Sequence, residues 1–222
     1  MEMQLKTGIQ KLDRALGGGI MEGTITAITG PTGIGKSTLS MQFLINGIKQ
    51  GDRGLYIPME HTKETAHSTF SSYAWSIQEY EELGTLLFID YPFHEIEQFV
   101  SQSNPLKEII EKYDINRVVV DSWLPIASSV TSKEERSSLF AKAFDKMREW
   151  GTSVFVIAEG DQPIIEEFAS SYWHVESFAD NWIEMRYNLE NNTREMRVVK
   201  QRGQKNDLEL MEFSIGKTGI TI

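Results

Sequence analysis

The sequence predicts an α/β protein with a mostly parallel central sheet flanked by helices, and with antiparallel strands added at its C-terminal end. Three observations carry this expectation. Strand-like apolar runs at residues 25–29, 55–58, 86–89, 118–121 and 153–158 alternate with helix-like segments, as parallel strands joined by helical crossovers do. A glycine-rich turn, Gly30-Pro31-Thr32-Gly33-Ile34-Gly35-Lys36-Ser37, joins the first of these runs to a helical pattern. Beyond residue 178 the pattern becomes residues 181–189, a polar turn at Glu190-Asn191-Asn192-Thr193, then 195–200, 208–215 and 220–222, which reads as antiparallel strands and hairpins.

Taken in order, the first element is the most informative. Ile25-Thr26-Ala27-Ile28-Thr29 reads as a short buried strand, and Leu39, Phe43, Leu44 and Ile48 recur at helical spacing until Gly51 closes the segment. Between them lies a complete G-x-x-x-x-G-K-[ST] motif. Glycines 30, 33 and 35 let the backbone fold back so that successive N–H groups face phosphate oxygens, and the helix N-terminus adds its partial positive charge. Residues 30–37, with Thr38 next in the helix, are the predicted nucleoside triphosphate site. Lys36 is expected to reach the β and γ phosphates, and Ser37 to place its hydroxyl on Mg²⁺.

The next elements supply carboxylates. Val118-Val119-Val120-Asp121 is an apolar strand ending in an aspartate, which puts Asp121 at the C-terminal edge of a parallel sheet as the candidate Mg²⁺ organiser. Leu55-Tyr56-Ile57-Pro58-Met59-Glu60 places Glu60 just past the strand after the loop helix, and that strand can sit beside the loop strand. From spacing alone, Glu60 is either the group that activates the attacking water or a solvated strand-end carboxylate. His61 can bond Glu60, position water or stand exposed, and His67, His94 and His174 show no metal spacing. The clearest helix opens with Ser132 and Glu135 in capping-box spacing, carries Leu139, Phe140, Ala143, Phe144 and Met147 on one face, and ends at Trp150-Gly151.

At 222 residues, with no low-complexity stretch, the chain reads as one α/β domain with an ordinary core. Its apolar runs are too short to span a bilayer, and with no opening signal segment and no cysteine it is expected in the cytoplasm. A net charge of −10 disfavours a broad electrostatic grip on nucleic acid.

Further motifs resemble the KaiC-like branch of the RecA-fold ATPases, which includes the archaeal RadA paralogues, over essentially the whole chain. Thr7-Gly8-Ile9, Leu12-Asp13 and Leu16-Gly17-Gly18-Gly19-Ile20 resemble that family's lead-in to the phosphate loop. Tyr73-Ala74-Trp75 resembles its F-G-W, Ala179-Asp180-Asn181 its S-D-N, and Lys200-Gln201-Arg202-Gly203 its K-x-R-G. The resemblance implies ATP hydrolysis with Glu60 as the catalytic carboxylate and a nucleotide contact at Ser72. It implies that Lys200 and Arg202 reach the γ-phosphate of a neighbouring subunit, in a hexameric ring or a helical filament. Read without it, Lys200-x-Arg202 is an ordinary charged alternation on a strand. Glu176 and Ser177 fall where the family carries phosphorylated residues, which with only one hydroxyl argues against autokinase activity.

Three functions compete at this level. The first is an oligomeric Mg²⁺-dependent ATPase that regulates or remodels a protein partner. The second is a DNA-binding recombination accessory, using loops near residues 125–135 and 160–178. The second of those loops carries Asp161, Glu166, Glu167 and Glu176 and no lysine or arginine, which repels phosphate; its Ile164, Ile165, Phe168, Tyr172 and Trp173 suit protein contact better. The third is an ATP-sensing scaffold that hydrolyses little.

Overall fold

The computed structural model describes residues 3–90, 105–160, 171 and 173–222. A two-stranded ribbon, β1 (Gln4–Leu5) against β2 (Ile20–Met21), brackets helix α1 (Gln10–Ala15). β3 (Ile25–Gly30) leads through the glycine-rich turn into α2 (Lys36–Ile48). β4 (Gly54–Pro58), α3 (Lys63–Phe70), α4 (Ile77–Glu82) and β5 (Leu86–Phe88) follow. Then come α5 (Pro105–Lys112), β6 (Arg117–Asp121), α6 (Leu124–Ser128), α7 (Lys133–Arg148) and β7 (Ser153–Glu159). A 3₁₀ turn at Val175–Ser177 precedes β8 (Asn181–Asn188), β9 (Thr193–Gln201), β10 (Met211–Gly216) and β11 (Gly219–Thr221).

These strands form a nine-stranded sheet in the order β11-β10-β9-β8-β3-β7-β6-β4-β5. β3 to β8 run parallel and β9 to β11 antiparallel, so the predicted fold class holds. Two details differ from the sequence expectation. β8, expected as the first antiparallel strand, pairs parallel with β3. Asp180 ties the start of β8 to the start of β3: its N–H donates to Ile25 O at 2.8 Å while its carboxylate accepts from Ile25 N–H at 3.1 Å, and Asn181 is level with Thr26. β4, expected beside the loop strand, lies three strands away, with β6 and β7 between them.

Period-two alternation divides the core between the two faces of the sheet. Ile28, Val119, Phe155 and Ile157 face α2, where Phe43 stacks on Phe155 with ring centroids 4.0 Å apart. Ala27, Val118, Val120, Val154 and Val156 face α7, which buries Phe140, Ala143, Phe144 and Met147. The predicted cap of that helix is present: Ser132 Oγ accepts from Glu135 N–H at 3.1 Å, satisfying one of the donors that a helix start leaves unpaired.

Arg117 was not anticipated as a core residue. It is 1% exposed, its guanidinium lies 4.5 Å from the Phe43 ring centroid, and it bonds Asp52 (2.7 Å), Lys6 O (2.7 Å) and Phe43 O (2.9 Å). Those partners offset the desolvation that lowers its pKa. In the lead-in motif, Asp13 Oδ1 accepts from Thr7 N–H (2.7 Å) and Thr7 Oγ1 (2.8 Å), so Thr7 and Asp13 brace the approach to β3.

Candidate active site

The glycine-rich turn sits where β3 ends and α2 begins. Gly30 has φ +151°, and a Cβ there would lie 2.3 Å from Met185 O; Gly35, at φ +118°, would drive one to 2.7 Å from Ile215 Cδ1. Any side chain at either position would strain or displace the loop. Lys36 is 5% exposed and reaches back across the turn, where its ammonium donates to Gly30 O (2.8 Å) and Pro31 O (3.1 Å). It also pairs with Glu159 Oε1 at 3.1 Å, and Thr32 Oγ1 donates to Glu159 Oε2 at 2.9 Å.

A cavity of about 460 Å³ opens over this loop, a size suited to a small-molecule ligand. It gathers Lys36, Ser37, Thr38, Glu60 and Asp121, residues drawn from three different parts of the chain. Asp121 ends β6 and accepts a hydrogen bond from the Tyr56 hydroxyl. Burial raises the Asp121 pKa, while hydrogen bonds from Tyr56 and Ser37 oppose the rise. Burial, and then the Asp121 charge, push the Tyr56 pKa well up, so Tyr56 stays a donor. Neighbouring strands bring Glu60 to the same place: Pro58 is level with Asp121, Met59 N–H donates to Asp121 O at 2.7 Å, and the Ser122 hydroxyl donates to Glu60 Oε1. His61 is exposed on the cavity wall.

Ser72 is not part of the lining. It is exposed, with its hydroxyl on Thr69 O at 3.4 Å, and its neighbour Tyr73 takes the wall instead, 2.8 Å from Thr38 Oγ1 and stacked on Trp75 at 4.4 Å. The Tyr73-Ala74-Trp75 motif also pins the β10–β11 turn, through Ala74 N–H to Lys217 O (2.7 Å) and Trp75 Nε1–H to Thr218 O (3.3 Å). Glu159 and Tyr56 were missed as site residues. Glu159 was visible by the rule that found Asp121, since Val154-Phe155-Val156-Ile157-Ala158-Glu159 is likewise an apolar strand ending in a carboxylate. Tyr56 lies inside a strand that reads as uniformly buried, and sequence does not show which neighbour its hydroxyl meets.

Lys200 and Arg202 are elsewhere. Asn181 in β8 is level with Gln201 in β9 and with Thr26 in β3, so both cations lie at the N-terminal end of β3, whereas the phosphate loop lies at its C-terminal end. The six residues of β3 separate those ends by roughly 17 Å, beyond what an arginine side chain bridges. Lys200 Nζ donates to Ala179 O (2.7 Å) and Glu176 O (3.4 Å), and partial burial together with the Arg202 charge lowers its pKa. Glu176, 5% exposed, accepts from Ser171 N–H at 3.2 Å and from the Ser171 hydroxyl at 2.5 Å, a structural role. Of the two loops considered for DNA, residues 125–135 are largely the ends of α6 and α7, while Asp161, Ile164, Ile165, Glu166, Glu167, Phe168 and Tyr172 lie outside the described residues. Trp173 is half-buried with the Arg136 guanidinium 4.0 Å over its ring.

A strand, phosphate loop and helix combined with a strand-end carboxylate two strands away, on a mixed sheet of this topology, define a P-loop ATPase domain of the RecA-like fold. Within that class, the chain belongs to the KaiC ATPase family: residues 5–222 match the family described as "ATPase: KaiC". It is 31% identical to the circadian clock protein KaiC3 of Synechocystis sp. over 233 residues, covering 99% of this chain and 45% of that protein. It is also 31% identical to a UPF0273 protein of Pyrococcus horikoshii over 136 residues, 55% of each chain. The chain thus spans about half the length of these relatives. The crystal structure of a KaiC-like protein from Pyrococcus horikoshii OT3 matches with a TM-score of 0.85, covering 100% of this chain and 99% of that one at 23% identity, a likeness of fold. Among the described residues no helix is long and apolar enough to cross a membrane.

Proposed function

We propose that this protein is a Mg²⁺-dependent ATPase that hydrolyses ATP to ADP and phosphate at sites shared between subunits of a homo-oligomer, a ring or filament. Its nucleotide state regulates or remodels a protein partner. The observation that carries the reading is the convergence of Lys36, Ser37, Glu60 and Asp121 on one cavity, with Lys200 and Arg202 at the far edge of the sheet. Backbone N–H groups of residues 32–37, beyond Pro31, which has none, and the Lys36 ammonium hold the phosphates. Glu60, oriented by the Ser122 hydroxyl, takes a proton from water as the water oxygen bonds to the γ-phosphorus and the bond to ADP breaks. The donor set of a hydroxyl and a carboxylate suits a hard cation: Ser37 and Asp121 would hold Mg²⁺, which when bound neutralises phosphate charge. Arg202 and Lys200 of a neighbouring subunit complete the charge balance at the γ-phosphate.

Phosphate release measured against Mg²⁺ concentration tests this reading. The wild type should turn over only with Mg²⁺, and Asp121→Asn, which loses the charge but keeps the shape, should need about tenfold or more Mg²⁺ to reach half its maximal rate. Tight nucleotide binding without phosphate release would favour the sensing scaffold, and an unchanged Mg²⁺ response would remove Asp121 from the metal site. The recombination reading has less support, because the net charge is −10. Single-stranded DNA is therefore expected to bind with a Kd no tighter than about 10 μM at physiological salt, and sub-micromolar binding lost on deleting residues 164–174 would reverse that ranking.

A further inference from the structure

Asp180 is a carboxylate set among cations. Its side chain is 10% exposed; Oδ1 lies 3.0 Å from Arg202 Nη1 and 3.9 Å from Arg148 Nη2, and Oδ2 accepts from Ile25 N–H at 3.1 Å. The backbone repeats the connection: Arg202 N–H donates to Asp180 O at 3.0 Å, and Asp180 N–H to Ile25 O at 2.8 Å. Arg202 itself is 68% exposed, so the guanidinium is tethered on one side and open to the outside on the other. A long side chain left free at a surface samples many rotamers, and holding one of them costs entropy at the moment of contact.

We infer that Asp180 is a positioning residue that aims the Arg202 guanidinium outward from the N-terminal edge of the sheet, so that it meets the neighbouring subunit's triphosphate already oriented. This rests on the shared-site reading above. Asp180 is bonded to the first residue of β3 and the phosphate loop follows the last, so the group offered to the neighbour is fixed to the strand that carries this subunit's own loop. Ion pairs at a surface are weak sources of stability, and the effect expected here is geometric: an ångström of misplacement at a transferring phosphoryl group is enough to slow it substantially.

The test uses Asp180→Asn in the full-length protein. The amide oxygen can still accept from Ile25 N–H, while its NH₂ group faces Arg202 and repels it. The homogeneous variant should lose about tenfold or more in kcat with the KM for ATP within about twofold. Mixing then identifies which half of a shared site has failed. With Glu60→Gln as partner, Asp180→Asn should regain activity, because it still supplies an intact phosphate loop and Glu60. With Arg202→Ala as partner it should gain nothing, since neither subunit presents the arginine. A purely structural lesion at β3 gives the opposite pattern, gain with Arg202→Ala and none with Glu60→Gln, and that pattern or full activity of the homogeneous variant overturns the inference. A mixture of Glu60→Gln and Arg202→Ala is run alongside: if it also fails to regain activity, the shared site itself is wrong and the inference falls with it.

Discussion

Lys36→Ala is expected to weaken ATP binding by about a hundredfold or more while leaving the protein folded. The ammonium is the one cation that the described phosphate loop brings to the cavity floor, and its side chain is 5% exposed, so its charge-assisted bonds to phosphate are strong. Its loss from the folded protein is mild by comparison. The groups it leaves are Gly30 O, Pro31 O and the Glu159 carboxylate, which is 32% exposed and can turn to water, so the melting temperature should fall by only a few degrees. Nucleotide titration and thermal denaturation of the same preparation check both halves. Undiminished ATP affinity would take Lys36 out of the site.

Glu60→Gln separates chemistry from binding. The amide keeps the shape and can still accept from the Ser122 hydroxyl, but it cannot take a proton from water. Turnover should drop by about 10²–10⁴-fold with the Kd for ATP nearly unchanged, since Glu60 contributes to the transition state more than to ground-state binding. Single-turnover phosphate release beside equilibrium binding makes the distinction. Wild-type turnover in this variant would return Glu60 to the role of a solvated strand-end carboxylate.

What could be read from the sequence was set by local rules. The strand, glycine-rich turn and helix around residues 25–50 combine backbone necessity with a charged residue at a fixed offset, and the capped helix Lys133–Arg148 shows its start, buried face and end in adjacent residues. Asp121 was legible because a carboxylate closing an apolar strand marks the edge of a parallel sheet. Spatial order was not legible. Strands apolar on both faces fit any interior position, so nothing local showed that β6 and β7 lie between β3 and β4, or that β8 runs parallel to β3. Long-range partners were hidden for the same reason. Tyr56 and Arg117 look like an aromatic and a stray cation at buried positions until the fold supplies Asp121 to one, and Asp52 and the Phe43 ring to the other. The Lys200-Gln201-Arg202-Gly203 motif was visible, but only the sheet shows that its cations face away from their own phosphate loop.

That separation makes subunit mixing the most direct measurement of the shared site. Glu60→Gln and Arg202→Ala should each hydrolyse ATP poorly alone. Within a mixed oligomer, an Arg202→Ala subunit still offers its phosphate loop and Glu60, and a Glu60→Gln neighbour still offers Arg202, so their interface is fully equipped. In a random equal mixture with head-to-tail contacts, about a quarter of the sites are of this kind, and activity should rise well above that of either parent. Steady-state phosphate release is read on oligomers shown by mass measurement to contain both variants. Recovery is the predicted result; mixed oligomers no more active than their parents would contradict it and place Arg202 outside the site.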